Sequence, residues 1–298
     1  MAIFDELKNK FLSGSALMRL IYINVGAFVV IKLVSLCLIL FNVNPVGITS
    51  YLELPSNLMR LLYQPWSIVT YMFLHADVMH LFFNMLSLYW FGRIVMNSIS
   101  QKQLIALYLL GGLAGAAMYL IAYNLFPYFD NVVASSYLLG ASGAVVAICV
   151  VAATIYPNYP IRLLLIGEVK LIWLAIGMVL ISLFGIVGNN AGGEFAHIGG
   201  AILGYLYAKA WQRGKDYSKP VTSIINWFVN LFNRKPKIKV NKNTKQTATR
   251  MKSDAEYNRE KRANEAAIDA ILDKIKQRGY ESLSADEKRE LFDRSKRN

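Results

Sequence analysis

The sequence predicts an all-α polytopic membrane protein: a bundle of six transmembrane helices followed by a small cytoplasmic helical tail. Three observations predict it. Apolar stretches long enough to cross or nearly cross a bilayer occupy residues 20–41, 78–97, 103–125, 142–156, 170–188 and 195–211. The links between them alternate in basic charge, as the positive-inside rule requires. Charge is also segregated along the chain. Residues 212–298 hold 22 of the 32 Lys and Arg and 12 of the 19 Asp and Glu, so most of the net +13 charge belongs to the tail. A basic segment beside a membrane span reads as inner-leaflet lipid contact, so membrane lipid is an expected partner and nucleic acid is not. Four parts follow: a cytoplasmic N-terminal segment (1–19), a six-span core (20–211), an interfacial helix with a basic linker (212–253) and a helical hairpin (254–298).

The first stretch is too long for a signal-peptide core and is read as a retained span. Lys32 lies inside it and either snorkels to the outer interface or meets a polar cavity. The 42–77 link carries Tyr51, Leu52, Leu54, Leu58, Leu61, Leu62 and Trp66 with Arg60 as its one basic residue, so it is expected to lie partly embedded in the outer interface. Lys8, Lys10 and Arg19 precede span 1; Arg93 and Lys102 follow span 2; Arg162 and Lys170 follow span 4. The 126–141 and 188–194 links have no Lys or Arg. Both termini are therefore expected in the cytoplasm, and the N-terminal ends of spans 2, 4 and 6 face out. Cys37 and Cys149 fall in apolar runs and read as small buried hydrophobes, with no disulfide framework.

Beyond span 6, Val221, Ile224, Ile225, Phe228, Leu231 and Phe232 follow helical spacing and predict a helix lying on the inner leaflet. Residues 235–253 read as a disordered linker. Ile268, Ile271, Leu272 and Ile275 form an amphipathic stripe ending near Gly279, and Ser284 with Glu287 makes a capping box for a last helix through Leu291 and Phe292.

The chemistry concentrates in one layer. The chain has three histidines, and His75, His80 and His197 all fall at the outer ends of spans 2 and 6, as Ser142 does at that of span 4. Fourteen residues separate Ser142 from Tyr156, and fourteen separate His197 from Trp211. Two helices crossing in the same direction would lift serine and histidine to the same depth, about 21 Å above the inner boundary at ~1.5 Å per residue. The hydrocarbon core is about 30 Å thick, so the two would meet inside the membrane, where polar groups are costly unless they line a working cavity. Gly140-Ala141-Ser142-Gly143 opens a short helix whose free N–H groups suit a developing oxyanion. Gly200 and Gly204 form a G-x-x-x-G face below His197, matched by Gly143 and Ala147 on span 4, which permits close approach. His80 and Asn84, four apart, share one helix face and are both donors. No third carboxylate is evident at that depth, so the pair reads as a Ser–His dyad. Zinc is disfavoured: H-x4-H is a poor ligand spacing on one helix and no H-E-x-x-H occurs.

These motifs, H-x4-H-x3-N at His75, His80 and Asn84, G-x-S-G at Gly140–Gly143, and A-H-x-x-G-x-x-x-G from Ala196 through Gly204, resemble those of the rhomboid family of intramembrane serine proteases over residues 20–211. The resemblance implies that Ser142 is the nucleophile, that His197 is the general base and acid, and that His80, Asn84 and the Ser142 N–H form an oxyanion hole. Gly140, Gly143, Gly200, Gly204 and His75 support them. It implies transmembrane protein substrates cleaved near their outer ends, no cofactor, no metal, and a multi-pass location in a bacterial inner membrane. Oligomeric state and substrate identity are not implied. The alternatives are a catalytically silent rhomboid-like binder and a transporter with a polar midmembrane site. Two positions depart from the family: Trp66 is followed by Ser67 where many relatives have Arg, and Val146 stands where bacterial relatives often stack a tyrosine on the histidine.

Overall fold

The computed structural model describes residues 13–163, 167–232 and 254–295. In chain order, α1 spans Ala16–Leu40, α2 Val46–Leu52, β1 Leu54–Pro55, α3 Leu58–Tyr63 and α4 Ser67–Thr70, with a 3₁₀ turn at Tyr71–Phe73. Then come α5 Val78–Val95, α6 Gln101–Leu125, β2 Tyr137–Leu138, α7 Ser142–Ile155, β3 Pro160–Leu163, β4 Gly167–Lys170, α8 Leu171–Gly185 and α9 Ala191–Gln212. After these lie α10 Lys219–Phe232, α11 Asp254–Arg278 and α12 Ala285–Ser295. The chain forms two compact units, divided at Arg234.

Each predicted apolar stretch carries a helix. α1, α5 and α6 are long and apolar enough to cross a membrane by length and composition; α7 and α8 are shorter apolar helices. The expectation of a purely helical chain needs correction, because β1 pairs antiparallel with β2, and β3 with β4. The first pair puts Leu54 opposite Leu138 and ties the first long link to the strand before Ser142. Cys37 also departs from expectation: it is exposed, whereas Cys149 is buried. An apolar stretch does not reveal which of its faces meets protein and which meets lipid.

Helix boundaries follow local chemistry. The Ser15 hydroxyl accepts from the Met18 N–H at the start of α1, and Asp77 accepts from the His80 N–H at the start of α5. Ser100 and Gln103 form a reciprocal capping box on α6, satisfying donors a helix start leaves open.

Packing centres on α7, whose residues Gly143 to Cys149 are all buried. Small residues allow this. A Cβ built at Gly200 of α9 would overlap the Gly143 carbonyl oxygen, and one at Gly204 would sit 2.5 Å from that of Ala147. The two helices therefore touch backbone to backbone, along the faces that the spacing predicted. α1 is the opposite case. Only Ala16, Leu17, Leu20 and Asn24 are buried in it, and its C-terminal half presents exposed Val and Leu. Asn24 is satisfied inside the protein: its Nδ2 donates to Leu20 O at 2.8 Å and its Oδ1 accepts from the Tyr108 hydroxyl at 3.2 Å.

The 42–77 link is a folded layer. Gln64 donates to the carbonyls of Ser50 and Glu53, the Trp66 indole N–H to Tyr51 O at 2.9 Å and the Thr70 hydroxyl to Leu52 O. The Tyr71 hydroxyl donates to Gly112 O of α6 at 2.6 Å. Tyr51, Leu58, Leu62 and Tyr63 remain exposed on its outer surface. Lys32 takes the polar option: its Nζ donates to Ala76 O at 2.7 Å and thereby holds the end of this link against α1.

α10 follows a turn where Asp216 accepts from Gln103 of α6 at 3.0 Å, and Lys102 donates to Asn226 of α10 at 2.9 Å. Ile224 and Trp227 are exposed. In the second unit, Gly279 adopts φ 79° and ends α11. The expected capping box is present: Ser284 N donates to Glu287 Oε2 at 2.7 Å and Glu287 N to Ser284 Oγ at 3.3 Å. Ile271 and Leu283 are buried there, while Leu272 is exposed. The linker expected over 235–253 lies outside the described residues.

Candidate active site

Ser142 is the first residue of α7, and the turn that delivers it depends on Gly140. Gly140 has φ 130°, a backbone region essentially restricted to glycine. Its N–H donates to Tyr71 O at 2.9 Å, so the turn is anchored to the first link. A Cβ at Gly140 would lie 3.1 Å from His80 Nε2 and 3.6 Å from Ser142 Oγ. The glycine thus leaves space into which both side chains look. No side chain caps the start of α7, so the N–H groups of its first turn are not taken up by a cap.

Ser142, His80, Asn84 and His197 line one cavity of about 410 Å³, together with Val146, Ser182, Asn190 and Glu194. The helices bringing them there are α5, α7, α8 and α9. The two distant segments that the equal spacing pairs therefore do meet, with Gly143 packed against Ala196, the neighbour of His197. No direct hydrogen bond joins Ser142 to His197 among the described residues. Active-site contacts of this kind are often long in a substrate-free protein.

Each donor has a defined state. His80 Nδ1 accepts from the Ala76 N–H at 3.3 Å. In a neutral imidazole the other nitrogen then carries the proton, and that nitrogen, Nε2, is the one beside Gly140. Asn84 Nδ2 donates one hydrogen to His80 O at 2.9 Å, which leaves its second. His75 lies outside this cavity. It is buried with its ring 5.2 Å from that of His80, edge to face, and it lines a smaller cavity of about 190 Å³ with Lys32 and Glu53. Burial first, and the neighbouring His80 second, push His75 down to about 4; it is a neutral brace at ordinary pH.

His197 holds what the sequence reading missed. Its Nδ1 is 2.9 Å from Ser182 Oγ of α8 and 3.2 Å from Glu194 Oε2, one turn earlier on α9. A carboxylate does stand at that depth. The i, i+3 spacing of Glu194 and His197 was available in the sequence; the Ser182 contact was not, because it depends on how α8 docks. Among the described residues no group of three or more His, Cys, Asp or Glu is placed to hold a metal ion.

Comparison with known proteins now has a site to refer to. The Rhomboid domain family matches residues 63–213, which include Ser142, His80, Asn84, His197, Ser182 and Glu194. A second family, DUF6576, described as a family of unknown function, matches residues 252–297, the α11–α12 unit. RHOMBOID-like protein 12, mitochondrial, of Arabidopsis thaliana is 30% identical over 156 residues, covering 49% of this chain and 46% of that protein. The chain thus spans about half the length of the curated relative it matches. With the Rhomboid domain extending over half of its length and embedded in apolar helices, the chain is a membrane protein that belongs to the rhomboid family.

Proposed function

We infer that the chain is an intramembrane serine endopeptidase acting on transmembrane protein substrates. The observation that carries this reading is the single cavity shared by Ser142, His80, Asn84 and His197, on helices in backbone contact. In this reading α1, α5, α6, α7, α8 and α9 all cross the bilayer, with both termini in the cytoplasm of a bacterial cell. α7 has 14 residues, about 21 Å of helix, against about 30 Å of hydrocarbon. Ser142 then lies below the outer headgroups, and a substrate is cut near its outer end. α10 lies on the inner leaflet.

Ser142 Oγ attacks the substrate carbonyl while His197 Nε2 takes its proton. The oxyanion is received by the Ser142 N–H, the His80 Nε2–H and the second Asn84 hydrogen. His197 passes the proton to the leaving amine, and water then hydrolyses the acyl-enzyme by the same base. No cofactor enters these steps.

A fluorophosphonate probe tests the reading. Labelling of the native protein, lost in Ser142→Ala and strongly reduced in His197→Ala, supports the protease. A folded native protein that neither labels nor cleaves a single-span reporter would instead identify a catalytically silent rhomboid-like binder. That second reading has one observation on its side, the missing direct bond between Ser142 and His197.

A further inference from the structure

The Ser–His pair explains a nucleophile and a base but not what keeps the base in the right tautomer. In an imidazole the nitrogen facing the serine must be unprotonated, which requires the proton on the other. Val146 stands where a stacking aromatic ring is common in the family, so stacking cannot orient His197 here. Hydrogen bonds stand in its place. Glu194 Oε2 lies 3.2 Å from His197 Nδ1, and an ionised carboxylate only accepts. A proton held on Nδ1 leaves the Nε2 lone pair for Ser142. Ser182 and Asn190 line the same cavity as the Glu194 carboxylate.

The surroundings are shaped for that carboxylate. Glu194 is in the first turn of α9, the end of a helix that favours negative charge. Its side chain is 16% exposed. Gly185, on α8, gives it room: a Cβ there would lie 2.9 Å from Glu194 Cγ. Ser182, from the same helix, is buried at 4% exposure with its hydroxyl 2.9 Å from Nδ1. The other groups facing the site are His80 from α5 and Ser142 from α7; α6 brings Tyr119 and Tyr123 against Gly192.

We propose that Glu194 is a positioning residue that completes a Ser142–His197–Glu194 relay by holding the proton on His197 Nδ1 and stabilising the imidazolium formed during acyl transfer. The proposal rests on the protease reading for its kinetic consequences, though not for the tautomer itself.

The experiment uses the full chain in bilayer discs, comparing native protein with Glu194→Gln, Glu194→Asp and Ser182→Ala. Glu194→Gln is expected to lower kcat at pH 7 by about 10²-fold or more, approaching the loss seen when a triad acid is neutralised, with KM within about twofold. Glu194→Asp restores part of kcat. Nitrogen NMR of labelled histidine, with His197 assigned through His197→Gln, is expected to show the Nδ1-protonated tautomer in native protein and its loss in Glu194→Gln. A Glu194→Gln protein with native kcat, or a native protein with the proton on Nε2, overturns the proposal. The NMR arm reads the tautomer with or without turnover, so failure of the protease reading and failure of the Glu194 assignment are told apart.

Discussion

The seam between α7 and α9 and the pair α11–α12 are both helix–helix contacts in one chain, and they are held together by opposite means. In the seam, Gly200 and Gly204 lie against the carbonyls of Gly143 and Ala147, with no ion pair across it among the described residues. In the tail, Ile271 and Leu283 are buried under a charged surface, and Lys274 Nζ pairs with Glu287 at 2.9 Å. Where lipid surrounds the helices, an apolar side chain gains little by leaving it, so close van der Waals approach between small residues does the holding. Where water surrounds them, burying a stripe of Ile and Leu is itself the driving force. The seam is therefore intolerant of added atoms, and the tail of removed ones.

Substitutions probe this contrast in order of effect. Gly200→Val adds three carbons where the Gly143 carbonyl already stands. It is expected to abolish fluorophosphonate labelling and to lower the thermal midpoint, since overpacking costs about 1–3 kcal/mol or more; unchanged labelling would mean that α7 and α9 can part without harm. Gly140→Ala faces strain at φ 130° and the His80 ring at 3.1 Å. A cost of about 1–3 kcal/mol and a fall in labelling rate larger than the fall in stability are expected, as Ser142 and His80 both border the site. Ile271→Ala in the tail removes atoms instead. It is expected to loosen α11–α12 by roughly 2 kcal/mol, seen as faster amide exchange there, with labelling of Ser142 unaltered.

The smallest effect is a pH dependence. The Lys274 hydrogen bond first, then the Ser284 N–H, hold Glu287 down to about 2, against an ordinary value of 4.5. A carboxylate depressed on folding stabilises above its ordinary value and loses that contribution as pH falls towards the folded one. The exchange difference between native protein and Lys274→Met in α12 is therefore expected above pH 4.5 and to vanish as pH approaches 2. The pair is partly exposed, so a difference too small to measure would show that the Ile271 stripe and the Ser284 cap hold the hairpin without it.

The first link shows where legibility stopped. Its apolar residues mark it as interfacial, yet nothing local predicts that Leu54 pairs with Leu138, or that Lys32 would close on Ala76, 44 residues away. Both contacts need α1 and α6 already in place. The same limit explains Cys37. It sits in a run as apolar as that of Cys149, but α1 is buried only in its first turns and beyond them keeps one edge, with Phe28 and Lys32, against the protein, so Cys37 is left exposed.

By itself the sequence determined what is periodic or short-range: the order of the apolar helices, the small faces of Gly143 and Gly200, the Ser284–Glu287 cap, and the layer in which Ser142, His80 and His197 stand. Helical spacing and capping act within a few residues, so they can be read from the chain alone. Only the tertiary structure decided which groups meet the far side of the His197 ring. Ser182 reaches Nδ1, beside the Glu194 already one turn away on α9, because α8 docks against α9 at Gly185, a contact between helices that no repeat in either one encodes.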